Sequence, residues 1–372
     1  MLRSKLKSIL VIWFILLLLL SGCSGEKGTP EAIMTGGDLA QVWVQDTGGD
    51  LARPVFRAGE VVLVALKDGS LLGLDAASGE VIWQFTTPYQ VWSNSLGVGE
   101  KTAFLGLESG RLLGINTKNG QVQWDITLNG EVRVPPLVEN YSLFVTTTPQ
   151  SGSDTGATVL MLNAFNGDIL WEHETQETSL STPVRTGENL YVANSEGSRT
   201  LYALESTSGE LHWTHSTAGN PPQWLYSNTD SVVYASGDSQ ITALLAGNGQ
   251  LLWTQEIPSP LVSITGNEDT LLAITADGEI FAHQLSDGSL TWSYPTGDQP
   301  TAIIQGESVW IADQLCFITQ SGEIVALDTQ TGEVVWQIHT ATTPAAGLTI
   351  SDNWWFFPDQ SGQIYAYEQQ YR

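Results

Sequence analysis

The feature that most constrains the fold is a five-residue phrase, Gly-x-x-x-Trp, of which seven copies follow one another along the chain at a spacing of about forty residues. In each copy a polar turn leads into the glycine, and a short β-rich run ends at the tryptophan. Successive tryptophans of the series lie 39 to 47 residues apart. A period of about forty residues with strand chemistry in each unit is typical of a β-propeller. The copies lie at 79–83, 120–124, 167–171, 209–213, 249–253, 288–292 and 332–336.

The first repeat shows how each unit divides into four strands. Its β-rich runs lie at 53–57, 61–66, 71–75 and 80–85, and Asp-Gly and Ser-Gly turns interrupt them. Glycine in such turns supplies a positive φ without steric cost, as tight hairpins require. The third run of a later repeat, at 324–327, is apolar on both faces, which is expected of a strand in a sheet that packs between two neighbours. Each repeat therefore predicts one four-stranded antiparallel blade.

The two ends of the repeat region complete each other. Residues 346–369 match the first three strands of a repeat but lack the Gly-x-x-x-Trp phrase. A strand at 39–44 can supply the fourth, since Trp43 precedes Trp83 by 40 residues and so stays in register with the series. We therefore predict an all-β, eight-bladed β-propeller whose last blade is closed by the N-terminal strand, which removes exposed sheet edges. The alternative, seven blades with a loose C-terminal hairpin, would expose the hairpin's aromatic side chains. The predicted structural tryptophans are Trp43, Trp83, Trp124, Trp171, Trp213, Trp253, Trp292 and Trp336.

The N-terminus has the pattern of a targeting segment. Three basic residues precede an apolar run at 9–20, which is too short for a membrane span of about 20 residues and fits a signal peptide. The run ends in Leu-Ser-Gly-Cys at Cys23, which resembles the lipobox of bacterial lipoproteins. This resemblance implies cleavage before Cys23 and a diacylglyceryl group on its sulfur; an ordinary secretory peptide is the alternative. The predicted organisation is a signal peptide at 1–22, a flexible tether at 23–37 and the propeller at 38–372.

Cysteine content and charge limit the function classes. Cys23 and Cys316 are the only two cysteines, so lipidation of the first leaves the second without a disulfide partner. Cys316 lies in an apolar run and is predicted to be an inert buried thiol, with a reactive role as the alternative. Removal of residues 1–22 leaves 11 Lys+Arg against 40 Asp+Glu, a net charge of −29. Such a surface repels phosphate backbones and argues against nucleic-acid binding, although solubility alone also explains it.

No catalytic, cofactor-binding or metal-ligating residue can be assigned from a motif. The five histidines form no metal-ligand spacing with each other or with cysteine. His173 and His215 each follow a repeat tryptophan by two residues, which indicates a structural role. Neither a phosphate-binding loop between a strand and a helix nor a nucleophile elbow is present in the sequence.

The repeat, written as Ala-x-Asp-x-x-x-Gly-x-x-x-Trp, resembles the quinoprotein-type (PQQ-like) propeller repeat. That resemblance implies that the tryptophan of one blade packs on the small first residue and the peptide of the next blade. Met161 replaces the small residue in one repeat, and we expect a looser or shifted contact there. The small residues elsewhere are Gly73, Gly114, Ala203, Ala243, Ala282 and Ala326.

The resembled family has a catalytic and a non-catalytic branch. Its alcohol and glucose dehydrogenases hold pyrroloquinoline quinone and a divalent cation on the ring axis, within long insertions, and several carry a disulfide between adjacent cysteines. This sequence has almost no insertions and no adjacent cysteines, so we expect no cofactor. The lipobox, short tether and compact ring instead resemble the propeller lipoproteins of outer-membrane β-barrel assembly, over essentially the whole chain. That branch implies a scaffold that binds a membrane-barrel partner through loops on one face.

Several aromatic residues lie outside the repeat pattern. Trp92 and Trp224 begin predicted first strands, and we hypothesise that Tyr89, Trp92, Trp224 and Tyr226 contribute to a contact surface. The alternative is that they fill gaps between blades. Complete burial of both tryptophans would rule the contact surface out.

Together these features predict a non-catalytic, lipid-anchored, extracytoplasmic propeller. We expect it to act as a monomeric scaffold for envelope protein partners, touching the membrane only through its anchor. In a bacterium with an outer membrane the anchor would lie in that membrane and face the periplasm; otherwise it would lie on the outer face of the cytoplasmic membrane. The alternative is a PQQ-dependent oxidoreductase, or a small-ligand sensor that uses the central channel.

Overall fold

The computed structural model describes residues 39–51, 55–89, 91–150, 156–196, 199–217, 220–236, 239–298, 310–311 and 313–370. Within these ranges the chain forms 32 β-strands. A search of the same ranges for a helix with the length and apolar character of a membrane span finds none. The predicted signal peptide, the predicted tether and Cys23 lie outside the described residues.

The strands form eight antiparallel sheets of four strands each, which confirms the predicted eight-bladed propeller. Blade 1 consists of β2 (Phe56–Ala58), β3 (Val61–Ala65), β4 (Ser70–Asp75) and β5 (Val81–Thr86); blade 2 of β6 (Val91–Val98), β7 (Thr102–Leu107), β8 (Arg111–Asn116) and β9 (Val122–Thr127); blade 3 of β10 (Leu137–Glu139), β11 (Ser142–Thr147), β12 (Thr158–Asn163) and β13 (Ile169–Glu174); and blade 4 of β14 (Val184–Thr186), β15 (Asn189–Ala193), β16 (Thr200–Glu205) and β17 (Leu211–Ser216). Blade 5 consists of β18 (Pro222–Ser227), β19 (Ser231–Ser236), β20 (Gln240–Leu245) and β21 (Leu251–Glu256); blade 6 of β22 (Leu261–Gly266), β23 (Thr270–Thr275), β24 (Glu279–Gln284) and β25 (Leu290–Pro295); blade 7 of β26 (Trp310–Ile311), β27 (Gln314–Ile318), β28 (Glu323–Asp328) and β29 (Val334–His339); and blade 8 of β30 (Thr349–Ser351), β31 (Trp354–Pro358), β32 (Gln363–Gln369) and β1 (Leu39–Asp46).

Blade 8 is closed by the N-terminal strand, as predicted. Strand β1 pairs antiparallel with β32, from Leu39 opposite Gln369 to Asp46 opposite Gln363, with a bulge just before Trp43. The alternative of seven blades and a loose hairpin is wrong. The aromatic residues of β31 that it would have exposed, Trp355, Phe356 and Phe357, are fully buried.

The meander within each blade gives the ring two distinct faces. First strands of several neighbouring blades contact one another, as β2 does with β6 and with β30, so the first strands surround the axis. Fourth strands expose alternate residues and form the rim. Because consecutive strands are antiparallel, connections 1–2 of each blade, and connections 3–4 of blades 1 to 7, lie on one face, here called the turn face. Connections 2–3 and the links between blades lie on the opposite face, here called the linker face.

The repeat tryptophans join adjacent blades through the same contact. In blade 1 the Trp83 indole lies against Gly120 of blade 2, and its Nε1 donates to the carbonyl of Thr117 at 3.0 Å. Gly120 has a φ of +69° and a Cβ there would lie 2.5 Å from the Trp83 ring, so only glycine fits. The other acceptors are Ala76 for Trp43, Ala164 for Trp124, Ser206 for Trp171, Ala246 for Trp213, Leu285 for Trp253 and Thr329 for Trp292.

The joint between blades 7 and 8 differs from the others. Trp336 donates to the side-chain oxygen of Gln314 at 3.1 Å, within its own blade. Its ring meets Trp355 of blade 8 edge-on, with ring centroids 5.5 Å apart. An aromatic pair therefore replaces the turn glycine and carbonyl here, because blade 8 lacks the Gly-x-x-x-Trp phrase.

The small residue of the repeat does not lie where the resemblance placed it. Gly73 is directly opposite Trp83 in blade 1, and Ala203 is opposite Trp213 in blade 4, so the small residue and the indole share a blade. The prediction that the next blade supplies the small residue was therefore wrong, although the peptide contact with that blade is confirmed. A small side chain leaves room for the indole, which crosses its own sheet to reach the neighbouring blade.

Met161 does not loosen its joint. It is paired with Trp171, and the Trp171 indole is 9% exposed. The Trp171 Nε1 still donates to the Ser206 carbonyl at 3.1 Å, as in the other blades. The expected loosening was wrong, because an unbranched thioether can adapt its shape to the ring.

Candidate functional site

A group of aromatic and cationic side chains lies on the linker face of blade 2. Tyr89 belongs to the link between β5 and β6, and its side chain is 39% exposed. The guanidinium carbon of Arg111, from the start of β8, lies 5.4 Å from the centre of the Tyr89 ring. Arg111 also forms an ion pair with Asp125 of β9, and hydrogen bonding to Asp125 raises the pKa of the guanidinium. Arg111 is thus held between a carboxylate and an aromatic face.

Trp92 is displaced from the sheet ladder by an irregularity in β6. Val91 pairs with Leu107, and the next paired residue is Leu96. The Ser95 hydroxyl donates to the Gly106 carbonyl at 2.7 Å and holds the bulge closed. Bulges of this kind re-aim side chains near functional sites.

The Trp92 ring is half-buried and covered on one face by an arginine. The guanidinium carbon of Arg133 lies 4.6 Å from the ring centre. Arg133 is paired with Glu131 at 2.9 Å, and both follow β9 in the link to β10. The buried Nε1 of Trp92 has no hydrogen-bond partner among the described residues. An unpaired buried donor of this kind costs about 1–3 kcal/mol.

We call Tyr89, Trp92, Arg111 and Arg133 the aromatic–arginine cluster. The sequence hypothesis found its two aromatic members and missed both arginines. The scarcity of basic residues could have pointed to these arginines. From 200 to 371 the sequence contains 19 acidic residues and neither lysine nor arginine. The cluster therefore lies in the part of the ring that carries positive charge.

Trp224 and Tyr226 lie elsewhere on the ring. Both belong to β18, are half-buried and pack against the core between blades 5 and 6. The Tyr226 hydroxyl donates to the Asn267 carbonyl of blade 6 at 2.6 Å, and burial raises the pKa of the phenol. Blades 3 and 4 lie between this pair and the aromatic–arginine cluster. The four predicted residues therefore do not form one patch, although neither tryptophan is fully buried.

Two histidines have the structural role that their spacing predicts. Nδ1 of His173 lies 3.1 Å from the carbonyl oxygen of Gly209, the turn glycine of the next blade. His215 faces Gly249 in the same way, and burial lowers the pKa of its imidazole despite that bond.

His283 is a buried histidine that sequence reasoning did not single out. Its Nδ1 lies 2.9 Å from the Gly288 carbonyl oxygen, and its Nε2 is buried without a partner. Burial lowers the pKa of this imidazole, so the neutral form is favoured. Its position in the repeat could have predicted the burial, because the equivalent positions of blades 5 and 7 are occupied by Leu244 and Leu327.

Cys316 is a core residue of β27 with no exposed surface. Burial raises the pKa of its thiol well above the ordinary value. A thiol that is both inaccessible and protonated is unreactive, which supports the predicted inert role.

The described residues do not fit a quinone and its divalent cation. Among them, no three His, Cys, Asp or Glu side chains converge closely enough to hold a metal ion. The two cysteines of the sequence are far apart along the chain, so the disulfide between adjacent residues is impossible.

Eight four-stranded blades, closed by the N-terminal strand and joined by buried tryptophans, define a quinoprotein-type β-propeller. A model of the family described as "Outer membrane protein assembly factor BamB" matches residues 37–134, 129–235 and 225–370. The chain belongs to this BamB family.

Individual relatives agree with the family assignment. The BamB of Yersinia pestis is 23% identical over 346 residues, covering 83% of this chain and 77% of that protein. The BamB of Shewanella oneidensis is 24% identical over 184 residues, covering 44% of this chain and 45% of that protein.

Solved structures show the same fold at low identity. The crystal structure of BamB from Moraxella catarrhalis has a TM-score of 0.67 at 17% identity, covering 89% of this chain and 99% of that one. The quinohemoprotein alcohol dehydrogenase ADHIIG from Pseudomonas putida has a TM-score of 0.64 at 13% identity, covering 89% of this chain and 76% of that one. The ring is thus shared by assembly factors and by enzymes.

Proposed function

We propose that this protein is a non-catalytic scaffold for outer-membrane protein assembly. Its membership of the BamB family, across nearly the whole ring, is the observation that carries the proposal. Proteins of that name are described as outer membrane protein assembly factors. The rigid ring supports this role, because closed blades with buried joints present loops at fixed positions. The scaffold acts as a monomer and binds envelope proteins.

The proposed location is the periplasmic face of the outer membrane, through a lipid on Cys23. The support is the basic start, short apolar run and Leu-Ser-Gly-Cys ending of the N-terminal sequence. Two or more acyl chains give stable anchoring, whereas one chain binds only marginally. The segment at 23–37 then serves as the tether between the lipid and the ring.

The proposed contact surface for the assembly partner is the aromatic–arginine cluster. Aromatic and arginine side chains are the residues most enriched in interface hot spots. Tyr89 offers an exposed ring, and Trp92 offers a half-buried ring with the Arg133 guanidinium over one face. Trp224 and Tyr226, the other half of the original hypothesis, are proposed to stabilise the contact between blades 5 and 6.

The function can be tested by deleting the gene in its native bacterium and measuring the amounts of outer-membrane β-barrel proteins. A scaffold of assembly predicts a lower yield of folded barrels, restored by the wild-type gene. Unchanged barrel yields, or a dye-linked dehydrogenase activity that appears when quinone and calcium are added, would refute the proposal.

The contact surface is tested separately by Trp92→Ala combined with Arg133→Ala. We expect the partner to co-purify about tenfold less well, since hot-spot residues lose this much or more when truncated. Trp224→Ala is the control, and it should lower the melting temperature without the same loss of partner. Equal co-purification by wild type and the double variant would contradict the proposed surface.

A further inference from the structure

The turn face allows each blade to be compared with the other seven at equivalent positions. In every blade the residue just before the second strand accepts a backbone hydrogen bond. The donor amide lies just after the third strand in blades 1 to 7, and in blade 8 it belongs to the last residue of that strand. In blade 1 the Ala76 amide donates to the Glu60 carbonyl at 2.9 Å, and in blade 4 the Ser206 amide donates to Glu188 at 2.7 Å. We call the acceptor residue turn position 1. The residue that follows the donor, Ala77 in blade 1, we call turn position 2.

Blades 2 and 3 depart from the other blades at both positions. Turn position 1 is acidic or an amide in blades 1 and 4 to 8, and turn position 2 is small or uncharged. Blade 2 has lysine at both positions, and blade 3 has an aromatic residue at both. In chain order, turn position 1 is Glu60, Lys101, Tyr141, Glu188, Asp230, Asp269, Asp313 and Asn353. Turn position 2 in blades 1 to 7 is Ala77, Lys118, Phe165, Thr207, Gly247, Ser286 and Gln330.

The two aromatic residues of blade 3 meet on the surface. Tyr141 is 66% exposed and Phe165 is 58% exposed. Their ring centroids are 5.0 Å apart and the planes are tilted by 30°, so the rings are stacked. Neither ring fills the core, and a packing role therefore does not explain them. Aromatic side chains are enriched at protein interfaces relative to the rest of the surface.

The stack is held on rigid backbone. The Tyr141 carbonyl accepts a bond from the Ala164 amide at 2.9 Å, which ties the two turns together. The Ala164 carbonyl in turn accepts from Trp124 Nε1 of blade 2 at 3.0 Å, just beside Phe165. The same joint that holds blades 2 and 3 together therefore fixes the aromatic pair next to the lysine-bearing turns.

The two lysines of blade 2 are available to a ligand. Lys101 and Lys118 are exposed, and neither forms an ion pair within the described ranges. They lie close together, since the Thr117 amide donates to the Lys101 carbonyl at 3.1 Å. By contrast, Arg57, Arg111, Arg133 and Arg185 each have an acidic partner.

We infer that Lys101, Lys118, Tyr141 and Phe165 form a docking site for an acidic polypeptide segment that carries an apolar side chain. The apolar side chain would cover the Tyr141–Phe165 stack, and carboxylates of the segment would pair with the two lysines. This inference rests on the proposed scaffold function and adds a second surface, on the face opposite the aromatic–arginine cluster.

Charge elsewhere on the turn face favours a narrow polypeptide over a membrane surface. The neighbouring position in blade 4 is Glu188, and blades 5, 6 and 7 have Asp230, Asp269 and Asp313. A flat anionic bilayer that touched the lysines would also meet these carboxylates and be repelled. A polypeptide segment can contact blades 2 and 3 alone.

The site can be tested by placing the photoreactive residue p-benzoylphenylalanine at Phe165 of the full chain in its native bacterium. The same residue at Trp92 reports on the linker face, and at Leu251, which is 60% exposed on the rim of blade 5, it is the control. Mass spectrometry then identifies the crosslinked segment. We expect Phe165 to capture a segment with net negative charge and an apolar residue at the crosslink. Capture should fall about tenfold with Lys101→Glu and Lys118→Glu together.

Several outcomes would overturn the inference. These are a lipid adduct at Phe165, a basic captured segment, or capture that the lysine variants leave unchanged. Capture at Trp92 without capture at Phe165 would refute this site and leave the proposed function standing. Capture at neither position would count against both.

A second experiment takes its substitutions from an equivalent blade, so that the variant is expected to fold. Tyr141→Glu with Phe165→Thr gives blade 3 the residues of blade 4, so the variant should fold normally. A synthetic peptide of the captured segment should bind it about tenfold or more weakly than wild type. Equal affinity at an unchanged melting temperature would refute the docking site.

Discussion

Closure of the ring by β1 makes Trp43 different from the other repeat tryptophans. The Trp43 indole is 8% exposed, its Nε1 donates to the Ala76 carbonyl of blade 1 at 2.9 Å, and its ring lies 5.9 Å from Phe356. Trp253 has the same 8% exposure and a matching 2.8 Å bond to Leu285. The two residues therefore make equivalent local contacts. However, no hairpin joins β1 to the other strands of blade 8, whereas a hairpin joins the Trp253 strand, β21, to β20.

The expected cost of Trp43→Ala follows from these contacts. Truncation of a buried tryptophan to alanine costs about 3–5 kcal/mol, and this figure includes the loss of one hydrogen bond worth about 1 kcal/mol. Trp253→Ala should cost a similar amount. The Trp253 strand is joined by a hairpin to β20 of blade 5 and continues into β22 of blade 6, so loss of Trp253 should lower the stability of the whole ring. Loss of Trp43 should instead release β1 locally, because local opening requires only the β1–β32 ladder to break.

Native-state hydrogen exchange measured on peptides from β1 and β21 distinguishes the two outcomes. In Trp43→Ala we expect residues 39–46 to lose most of their protection while residues 251–256 keep theirs. In Trp253→Ala both segments should lose protection together, in parallel with the fall in melting temperature. Uniform loss of protection in Trp43→Ala, or none at all, would refute the idea that this joint locks the ring.

Three further predictions concern single positions. Gly167→Ala should cost about 1–3 kcal/mol of stability in a denaturant titration, because the residue has a φ of +76° and its Cβ would lie 2.8 Å from Trp124. The control is Gly187→Ala, which should cost less because Gly187 has a φ of +59° but open space around it. Equal costs would contradict the steric argument. His283→Leu should raise the melting temperature at pH 5 more than at pH 7. The lowered folded-state pKa of His283 means that the unfolded chain binds the proton more readily, so stability falls as pH drops below about 6.5; an unchanged pH dependence in the variant would refute this. Cys23→Ser should move the protein from the membrane to the soluble fraction of the envelope, and continued sedimentation with membranes would refute the lipid anchor.

The sequence by itself determined the architecture. A period of about forty residues and a tryptophan in each unit required a propeller, because each blade alone leaves two apolar faces uncovered. The position of Trp43 in the series was enough to predict the closing strand. Turn glycines and alternating apolar residues determine the conformation of the few residues around them, so the strands and turns can be predicted from the local sequence.

Only the tertiary structure decided which blade supplies each contact and which side chains converge. The repeat could not show that Ala203 faces the tryptophan of its own blade, since both assignments have the same spacing. Nor could it show that Trp92 of β6 meets Arg133 from the link between β9 and β10, or that Tyr141 of one turn stacks on Phe165 of another. These contacts join residues distant along the chain, and the closed ring brings them together by strand pairing and blade packing. The two proposed binding surfaces therefore could be identified only from the tertiary structure.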